Sequence, residues 1–85
     1  MEIEFSFEAQ EQLLEWRKSG NKQVQKKINQ LIESILETPF SGVGKPEALK
    51  HNWAGYWSRR ITGEHPLIYK IEKDKLIIAQ LKFHY

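Results

Sequence analysis

The sequence predicts an α+β domain in which one strand and two helices precede a three-stranded antiparallel meander, with both helices packed on one sheet face. Polar and apolar residues alternate in residues 1–7 and again after residue 56, which is the period of a half-buried strand. Between these segments, apolar residues recur at spacings of three and four, as in an amphipathic helix. The chain has 85 residues, so we expect a single domain over residues 1–85.

The first half of the chain contains the predicted first strand and both predicted helices. Ser6 can cap a helix that runs to about Lys18, and Asn21 can cap the next one. Pro39 ends the second helix because proline disfavours helical backbone at the preceding residue. The apolar stripe of this second helix is Val24, Ile28, Leu31, Ile32, Ile35 and Leu36.

The second half is predicted to begin with a long loop and to continue as three strands. Residues 40–55 are rich in glycine, proline and charge, and a loop of this length in a small domain is usually functional or disordered. Its apolar residues, Phe40, Val43, Leu49 and Trp53, favour an ordered loop packed on the core. The predicted strands are Tyr56–Thr62, His65–Glu72 and Lys75–Phe83. We expect Gly63-Glu64 to form a type II′ turn, Lys73-Asp74 to form a second short turn, and the last strand to be central.

Composition excludes several classes of protein. The chain contains no cysteine, which excludes disulfides, thiolate metal sites and a cysteine nucleophile. No apolar run approaches the roughly 20 residues of a membrane span. Residues 1–20 also lack the basic start and apolar stretch of a signal peptide. These features predict a soluble cytoplasmic protein without membrane association.

Charge is distributed unevenly along the chain. Residues 1–44 contain five Lys/Arg and seven Glu, for a net charge of −2, whereas residues 45–85 contain eight Lys/Arg and four Asp/Glu, for +4. The second half also contains all three histidines and six of the ten aromatic residues. This combination is typical of contact with a polyanion, although a solvated basic face is equally compatible with it.

Metal and nucleotide chemistry are not indicated. The histidines, His51, His65 and His84, are scattered rather than closely spaced with carboxylates, so we predict no metal site and no cofactor. The run Gly42-Val-Gly-Lys45 lacks the complete phosphate-loop pattern and is typical of a turn. The chain also has no Gly-x-Ser-x-Gly nucleophile motif.

The second half does contain the residue types that metal-free RNA cleavage requires. RNA carries its own nucleophile, the 2′-hydroxyl, so the protein supplies a base, an acid and cations for the phosphate. Glu47 is the candidate base and His84 the candidate acid. The candidate cations are Lys50, Arg59, Arg60 and Lys82, and aromatic candidates for stacking on bases are Tyr56, Trp57, Phe83 and Tyr85. Arg59 and Arg60 are adjacent on a strand, so at most one of them can point into a given site.

Several runs of residues also carry a resemblance to a known family. They are Thr38-Pro39-Phe40, residues 44–62 with their Gly-Lys-Pro-Glu and Trp-Ser-Arg-Arg-Ile segments, Glu64-His65, Leu67-Ile-Tyr69 and His84-Tyr85. Together they resemble the YoeB/Txe toxins of bacterial type II toxin–antitoxin systems, which belong to the RelE/ParE superfamily. The resemblance spans nearly the whole chain, with residues 1–20 matched loosely.

The resemblance implies a microbial-ribonuclease-like fold and a toxin that cleaves mRNA in the ribosomal A site. It implies a YefM-type antitoxin as partner, contact with operator DNA only through that antitoxin, and a possible homodimer. It assigns the general base to Glu47, the general acid to His84 and a site-shaping role to Tyr85. Arg60 matches a phosphate-facing arginine of the family and Lys50 a supporting lysine. His51 and Tyr56 are further candidates for RNA contact.

One position departs from the family pattern. The family usually has His-Arg-Leu-Val/Ile-Tyr on the middle strand, where this chain has proline at position 66. The family arginine stabilises the transition-state phosphate, and loss of such a group typically costs about 100- to 1000-fold in rate. The proline itself is compatible with the start of a strand, where a missing N–H is harmless. We therefore expect reduced activity.

Three explanations of Pro66 are open. It is an inactivating change that let a poisonous protein be produced, a natural variant compensated by another basic residue (Arg59, Arg60, Lys70 or Lys82), or the mark of a homologue that binds without efficient cleavage. Two other functions also stay open. One is a non-cleaving inhibitor that binds the ribosome or RNA. The other is a ParE-like gyrase poison, a branch that generally lacks the set Glu47, His84 and Tyr85. The remaining alternative is a small α+β domain whose charged residues are solvated and have no catalytic or binding role.

Overall fold

The computed structural model describes residues 1–83. Its elements are β1 (Glu2–Phe5), α1 (Phe7–Ser19), α2 (Lys22–Glu37), β2 (Glu47–Ala48), a 3₁₀ turn (His51–Trp53), β3 (Trp57–Arg60), β4 (Pro66–Glu72) and β5 (Lys75–Gln80). The strands form one sheet in the order β1-β5-β4-β3-β2. β1 runs parallel to β5, and the other neighbouring pairs are antiparallel. The predicted α+β class is confirmed, but strand β2 lies inside the segment predicted as a loop.

The helix boundaries follow the predicted capping residues. Ser6 Oγ accepts the backbone N–H of Ala9 at 3.0 Å, which satisfies a free donor at the start of α1. Asn21 Oδ1 does the same for Val24 at 3.1 Å at the start of α2. Helix α1 ends at Ser19 and is capped by Gly20, whose φ of 72° suits glycine. Helix α2 ends one residue before Thr38-Pro39, as predicted.

The core lies between the two helices and one face of the sheet. Its members are Ala9, Trp16, Val24, Ile28, Leu31, Ile35, Ile61, Leu67, Tyr69, Leu76, Ile78 and Leu81. Because side chains alternate along a strand, the residues between these point to the opposite face. We call that opposite side the open face; on β3 and β4 and the residue before β3, it carries Tyr56, Ser58, Arg60, Pro66, Ile68 and Lys70.

The two predicted turns differ in outcome. Lys73 and Asp74 both have positive φ, 50° and 61°, as a type I′ hairpin requires. Gly63 does not have positive φ, so the predicted type II′ turn is wrong. The backbone N–H of Ile61 instead reaches the carbonyl of His65 at 2.9 Å and closes a wider turn. Thr62 Oγ1 caps that turn by accepting the N–H of His65 at 3.0 Å.

The last strand is interior but not central. β5 lies between β1 and β4, and β4 is the middle strand of the five. β5 ends at Gln80 rather than at Phe83. The N–H of Leu81 instead goes to Gln12 Oε1 of α1 at 2.6 Å, so the chain leaves the sheet and packs against the helix. Within residues 1–83, neither helix is long and apolar enough to cross a membrane.

Candidate functional site

Strand pairing brings the proposed base and one arginine together on the open face. Glu47 of β2 is the direct partner of Ser58 on β3, and such partners have Cβ atoms about 4.5–5.5 Å apart. Arg60, two residues further along β3, is a diagonal neighbour of Glu47 at about 7–8 Å. Both the carboxylate of Glu47 and the guanidinium of Arg60 belong to exposed residues. Pro66 of β4 is the direct partner of Arg60 on its other side.

A shallow cavity of about 240 Å³ adjoins Arg60. Its lining residues are Ser58, Arg60, Thr62, Gly63, Glu64, His65, Pro66 and Phe83. The cavity wall therefore carries the cation of Arg60, the hydroxyl groups of Ser58 and Thr62 and the carboxylate of Glu64. The predicted acid His84 and the predicted Tyr85 lie outside the described residues, and Phe83, which precedes them, lines the cavity.

His65 links helix α1 to the residues that follow β5. Its Nδ1 accepts the backbone N–H of Phe83 at 3.1 Å. The ring also stands edge-on to Trp16 of α1, with centroids 5.0 Å apart. His65 thus ties α1 to the residues that follow β5, which is a scaffold role.

Arg59 is fully buried, with 0% of its surface exposed, and its predicted contact with RNA is wrong. Its side chain points from β3 to the face that the helices cover. All five N–H groups of the guanidinium have acceptors. They bond to Tyr69 Oη at 3.2 Å, Ser34 Oγ at 2.7 Å, Val43 O at 3.1 Å, Thr38 O at 2.7 Å and Ser41 O at 2.8 Å. The expectation that at most one of the two arginines faces the site is confirmed.

The surroundings of Arg59 explain why a cation is tolerated there. Burying a charge costs several kcal/mol unless its hydrogen bonds are satisfied, and here all five are. Thr38 is the C-cap of α2, and carbonyls at a helix C-terminus carry the negative end of the dipole. The ring of Tyr69 lies 5.8 Å from the guanidinium carbon. Its hydroxyl donates onward to Pro39 O at 2.6 Å, which extends the network along the loop.

The loop between α2 and β2 is ordered by these polar contacts more than by its apolar residues. Phe40 was predicted to pack on the core, yet it is 53% exposed. Its ring lies 4.9 Å from that of Trp57, a half-buried residue that packs against the core. Gly44 comes so close to the core that an added Cβ would lie 2.6 Å from Leu31 Cδ2. The Gly44 carbonyl accepts the N–H of Arg60 at 2.7 Å, which joins the loop to β3.

An aromatic and basic group lies beside Glu47 on the side away from Arg60. Tyr56 packs edge-on against Trp53 at 5.0 Å, and Lys70 Nζ lies 5.0 Å from the centre of the Tyr56 ring. Lys70 also pairs with Glu72 at 2.8 Å. The hydrogen bond with Glu72 raises the pKa of Lys70, and the same bond lowers the pKa of Glu72. Contact of Tyr56 with RNA stays a prediction.

The other predicted cations divide into two groups. Lys50 and His51 follow β2 after Leu49 and are exposed, so they lie near the edge strand that carries Glu47. Lys82 does not join them. Its Nζ pairs with Glu15 of α1 at 3.2 Å and lies over Trp16. It follows β5, three strands from β2, a separation of about 14 Å at the usual strand spacing.

Comparison with known proteins agrees with the resemblance drawn from the sequence. Residues 5–85 match the family model described as the YoeB-like toxin of bacterial type II toxin–antitoxin system. Toxin YoeB of Escherichia coli K12 is 48% identical over 85 residues, 100% of both chains. A YoeB–YefM heterotetramer from Staphylococcus aureus contains a chain 42% identical at a TM-score of 0.91, covering 100% of this chain and 98% of that one. A YoeB dimer from the same organism has 42% identity, a TM-score of 0.90 and the same coverage. The chain belongs to the YoeB family of toxins of bacterial type II toxin–antitoxin systems.

Proposed function

We propose that this toxin is a ribosome-dependent endoribonuclease that cleaves mRNA in the A site and so inhibits translation. The observation that carries the proposal is the pairing of β2 with β3. It makes Glu47 and Arg60 diagonal neighbours on an exposed face. A base and a cation at this separation can act on the 2′-hydroxyl and the phosphate of one nucleotide step. Membership in the YoeB family supports the same activity.

The proposed reaction needs no metal. Glu47 removes the proton of the 2′-hydroxyl, and the 2′-oxygen attacks the adjacent phosphorus. Arg60 and Lys50 balance the charge that develops on the phosphate. His84 gives a proton to the leaving 5′-oxygen, and Tyr85 shapes the site; both roles rest on the resemblance. The products are a 2′,3′-cyclic phosphate and a 5′-hydroxyl.

Pro66 is expected to weaken this activity without disturbing the sheet. It faces Arg60 across the β3–β4 pair, where the family usually has a second arginine. The N–H of Arg60 bonds to Gly44 and that of Ile61 bonds to His65. Antiparallel ladders alternate hydrogen-bonded and non-hydrogen-bonded pairs. Arg60 and Pro66 form a non-hydrogen-bonded pair, so β3 does not need a backbone N–H at position 66. The proline thus removes a charge from the site at little structural cost.

Several partners follow from the proposal. We expect a YefM-type antitoxin to neutralise the toxin, since a YoeB–YefM complex is known from Staphylococcus aureus. We expect contact with operator DNA only through that antitoxin. The ribosome and its mRNA are the targets in the cytoplasm. A homodimer is a further expectation, because YoeB from the same organism forms one.

Primer extension on a translated message tests the proposal. The chain, its Pro66→Arg variant and its Glu47→Gln variant are added to a reconstituted translation system. We expect cuts at A-site codons that are weak with the chain, strong with Pro66→Arg and reduced to a small residual level with Glu47→Gln. A lack of cuts with both the chain and Pro66→Arg would refute the endoribonuclease, as would full cutting by Glu47→Gln.

Pro66 also favours a second candidate, an inhibitor that binds the ribosome or RNA without cleaving it. The chain lacks the family arginine but keeps Arg60 and Lys50 for phosphate contact. The double variant Glu47→Ala, His84→Ala distinguishes the two functions in a growth assay. Full growth arrest by that variant supports the non-cleaving inhibitor, and loss of arrest supports cleavage.

A further inference from the structure

The strand that holds the proposed base is held by very few contacts of its own. β2 comprises only Glu47 and Ala48 and is the shortest strand among residues 1–83. It lies at the edge of the sheet and pairs with β3 alone. One backbone hydrogen bond flanks it on each side. They run from Arg60 to Gly44 at 2.7 Å and from Leu49 to Tyr56 at 2.9 Å. A ladder of two residues is too short to fix the position of β2 on β3, so other contacts must do so.

The segment just before β2 is wrapped around the guanidinium of Arg59. Thr38, Ser41 and Val43 all point backbone carbonyls at it, at 2.7, 2.8 and 3.1 Å. Ser34 of α2 accepts from the same group at 2.7 Å. A planar guanidinium holds its acceptors in fixed directions. Arg59 therefore joins the loop to both α2 and β3. The contact nearest to Glu47 is at Val43, four residues before it.

We propose that Arg59 is a positioning residue for Glu47. Its buried guanidinium fixes loop 38–44 and thereby the register in which β2 sets the Glu47 carboxylate opposite Ser58. Arg59 has no exposed surface, so it acts through the loop and does not touch RNA. The inference rests on the proposed function, in which Glu47 is the base.

The substitution Arg59→Lys tests this role with the charge retained. Lysine has three donors on one nitrogen and cannot reproduce the five-donor fork. We expect kcat for cleavage of a ribosome-bound message to fall about 10- to 100-fold with KM within about twofold, because a misplacement of about 1 Å costs on this scale. The measurement is made in the chain itself and in its Pro66→Arg variant. An unchanged kcat, or a loss confined to KM, would overturn the inference.

A double-mutant cycle shows whether Arg59 acts through Glu47. In the Glu47→Gln background we expect Arg59→Lys to change the residual rate by less than about twofold, since its target is already lost. The same fold-loss in both backgrounds would mean that Arg59 acts by another route. If the parent chains do not cleave at all, the proposed function fails, and the next measurement still tests the positioning.

Backbone amide exchange gives a readout independent of activity. In Arg59→Lys we expect the N–H groups of Leu49 and Arg60, which flank β2, to exchange about 10-fold faster or more, because their bonds depend on the loop. Amides between β4 and β5 should keep their rates. Unchanged exchange at Leu49 and Arg60 would overturn the positioning role. Val24→Ala is the control: it truncates a buried residue of α2 and should lower Tm while leaving kcat and these two amides unchanged.

Discussion

Arg59 and Arg60 are neighbours in the sequence and opposites in the structure. Arg59 lies under the helices with all five donors bonded. Arg60 lies in the open, beside a cavity and diagonal to Glu47. The alternation of a strand turns one step along the chain into a change of face. The same residue type therefore builds the loop on one side of the sheet and is available to a phosphate on the other.

The comparison also shows how far a charge count overstates a binding surface. The second half of the chain has eight Lys/Arg residues, but one of them is the interior Arg59. Three more form ion pairs, Lys70 with Glu72, Lys75 with Glu2 and Lys82 with Glu15. The positive surface near Glu47 is accordingly narrower than the net charge of +4 indicates. Its members among the basic residues named above are Lys50 and Arg60, and the exposed Lys45 lies two residues before Glu47.

The largest expected effect comes from truncating the two arginines separately. Arg59→Ala leaves a cavity and removes the hydrogen-bond donors of the Thr38, Ser41 and Val43 carbonyls. We therefore expect a loss of about 3–5 kcal/mol in the free energy of unfolding. Arg60→Ala should change stability by less than about 0.5 kcal/mol, because its side chain is exposed. Urea denaturation followed by circular dichroism measures both. Equal losses would contradict the division between the two faces.

The second prediction restores the missing charge on the open face. We expect Pro66→Arg to raise the cleavage rate about 100- to 1000-fold, the usual worth of one electrostatic contact to a transition state. Pro66→Gln, which restores the N–H without the charge, is the matched control and should give no such gain. Single-turnover cleavage of a ribosome-bound message measures the rate. Equal rates for all three would mean that another cation already serves the phosphate.

Two glycines with similar backbones allow a test of how tightly the loop packs. Gly44 and Gly55 both have positive φ, 88° and 93°, but only Gly44 has a neighbour within 4 Å of an added Cβ. Gly55→Ala should cost about 1–2 kcal/mol for the left-handed backbone alone. Gly44→Ala should add about 1–3 kcal/mol for overpacking against Leu31. Thermal unfolding of both variants measures the difference in destabilisation. Equal destabilisation would show that the loop accommodates the added methyl group of Gly44→Ala without overpacking.

Much of the fold was accessible from local patterns. The capping residues Ser6 and Asn21 marked the helix starts, and Lys73-Asp74 marked a hairpin, because each of these signals acts within a few residues. Strand β2 was not predicted, since two residues carry no periodicity. Its pairing with β3 depends on a loop held by a residue 16 positions away, from Val43 to Arg59.

The site was only partly predictable for a related reason. Glu47 and Arg60 were both candidates, but their proximity follows from the register of β2 on β3. The burial of Arg59 did leave a signal. Trp57, Arg59 and Ile61 share one parity, and the apolar residues on either side of Arg59 place it in the core-facing register. The charge of Arg59 favoured a surface position, whereas its parity on the strand favoured the core.

The smallest expected effect is a pH dependence at the aromatic end of the open face. Hydrogen bonding to Lys70 lowers the pKa of Glu72 below its ordinary 4.5. The ionised Glu72 carboxylate therefore stabilises the fold above pH 4.5, and this stabilisation is lost as pH falls through the lowered pKa. Hydrogen bonding to Glu72 raises the pKa of Lys70 above 10.5. The charged Lys70 ammonium therefore stabilises the fold below pH 10.5, and this stabilisation is lost as pH rises through the raised pKa. Glu72→Gln should therefore have a slightly lower Tm than the parent chain at neutral pH and an equal Tm at either extreme. Glu33→Gln, an exposed change on α2, corrects for the loss of one negative charge. A Tm difference that persists at low pH would show that packing rather than charge joins Glu72 to Lys70.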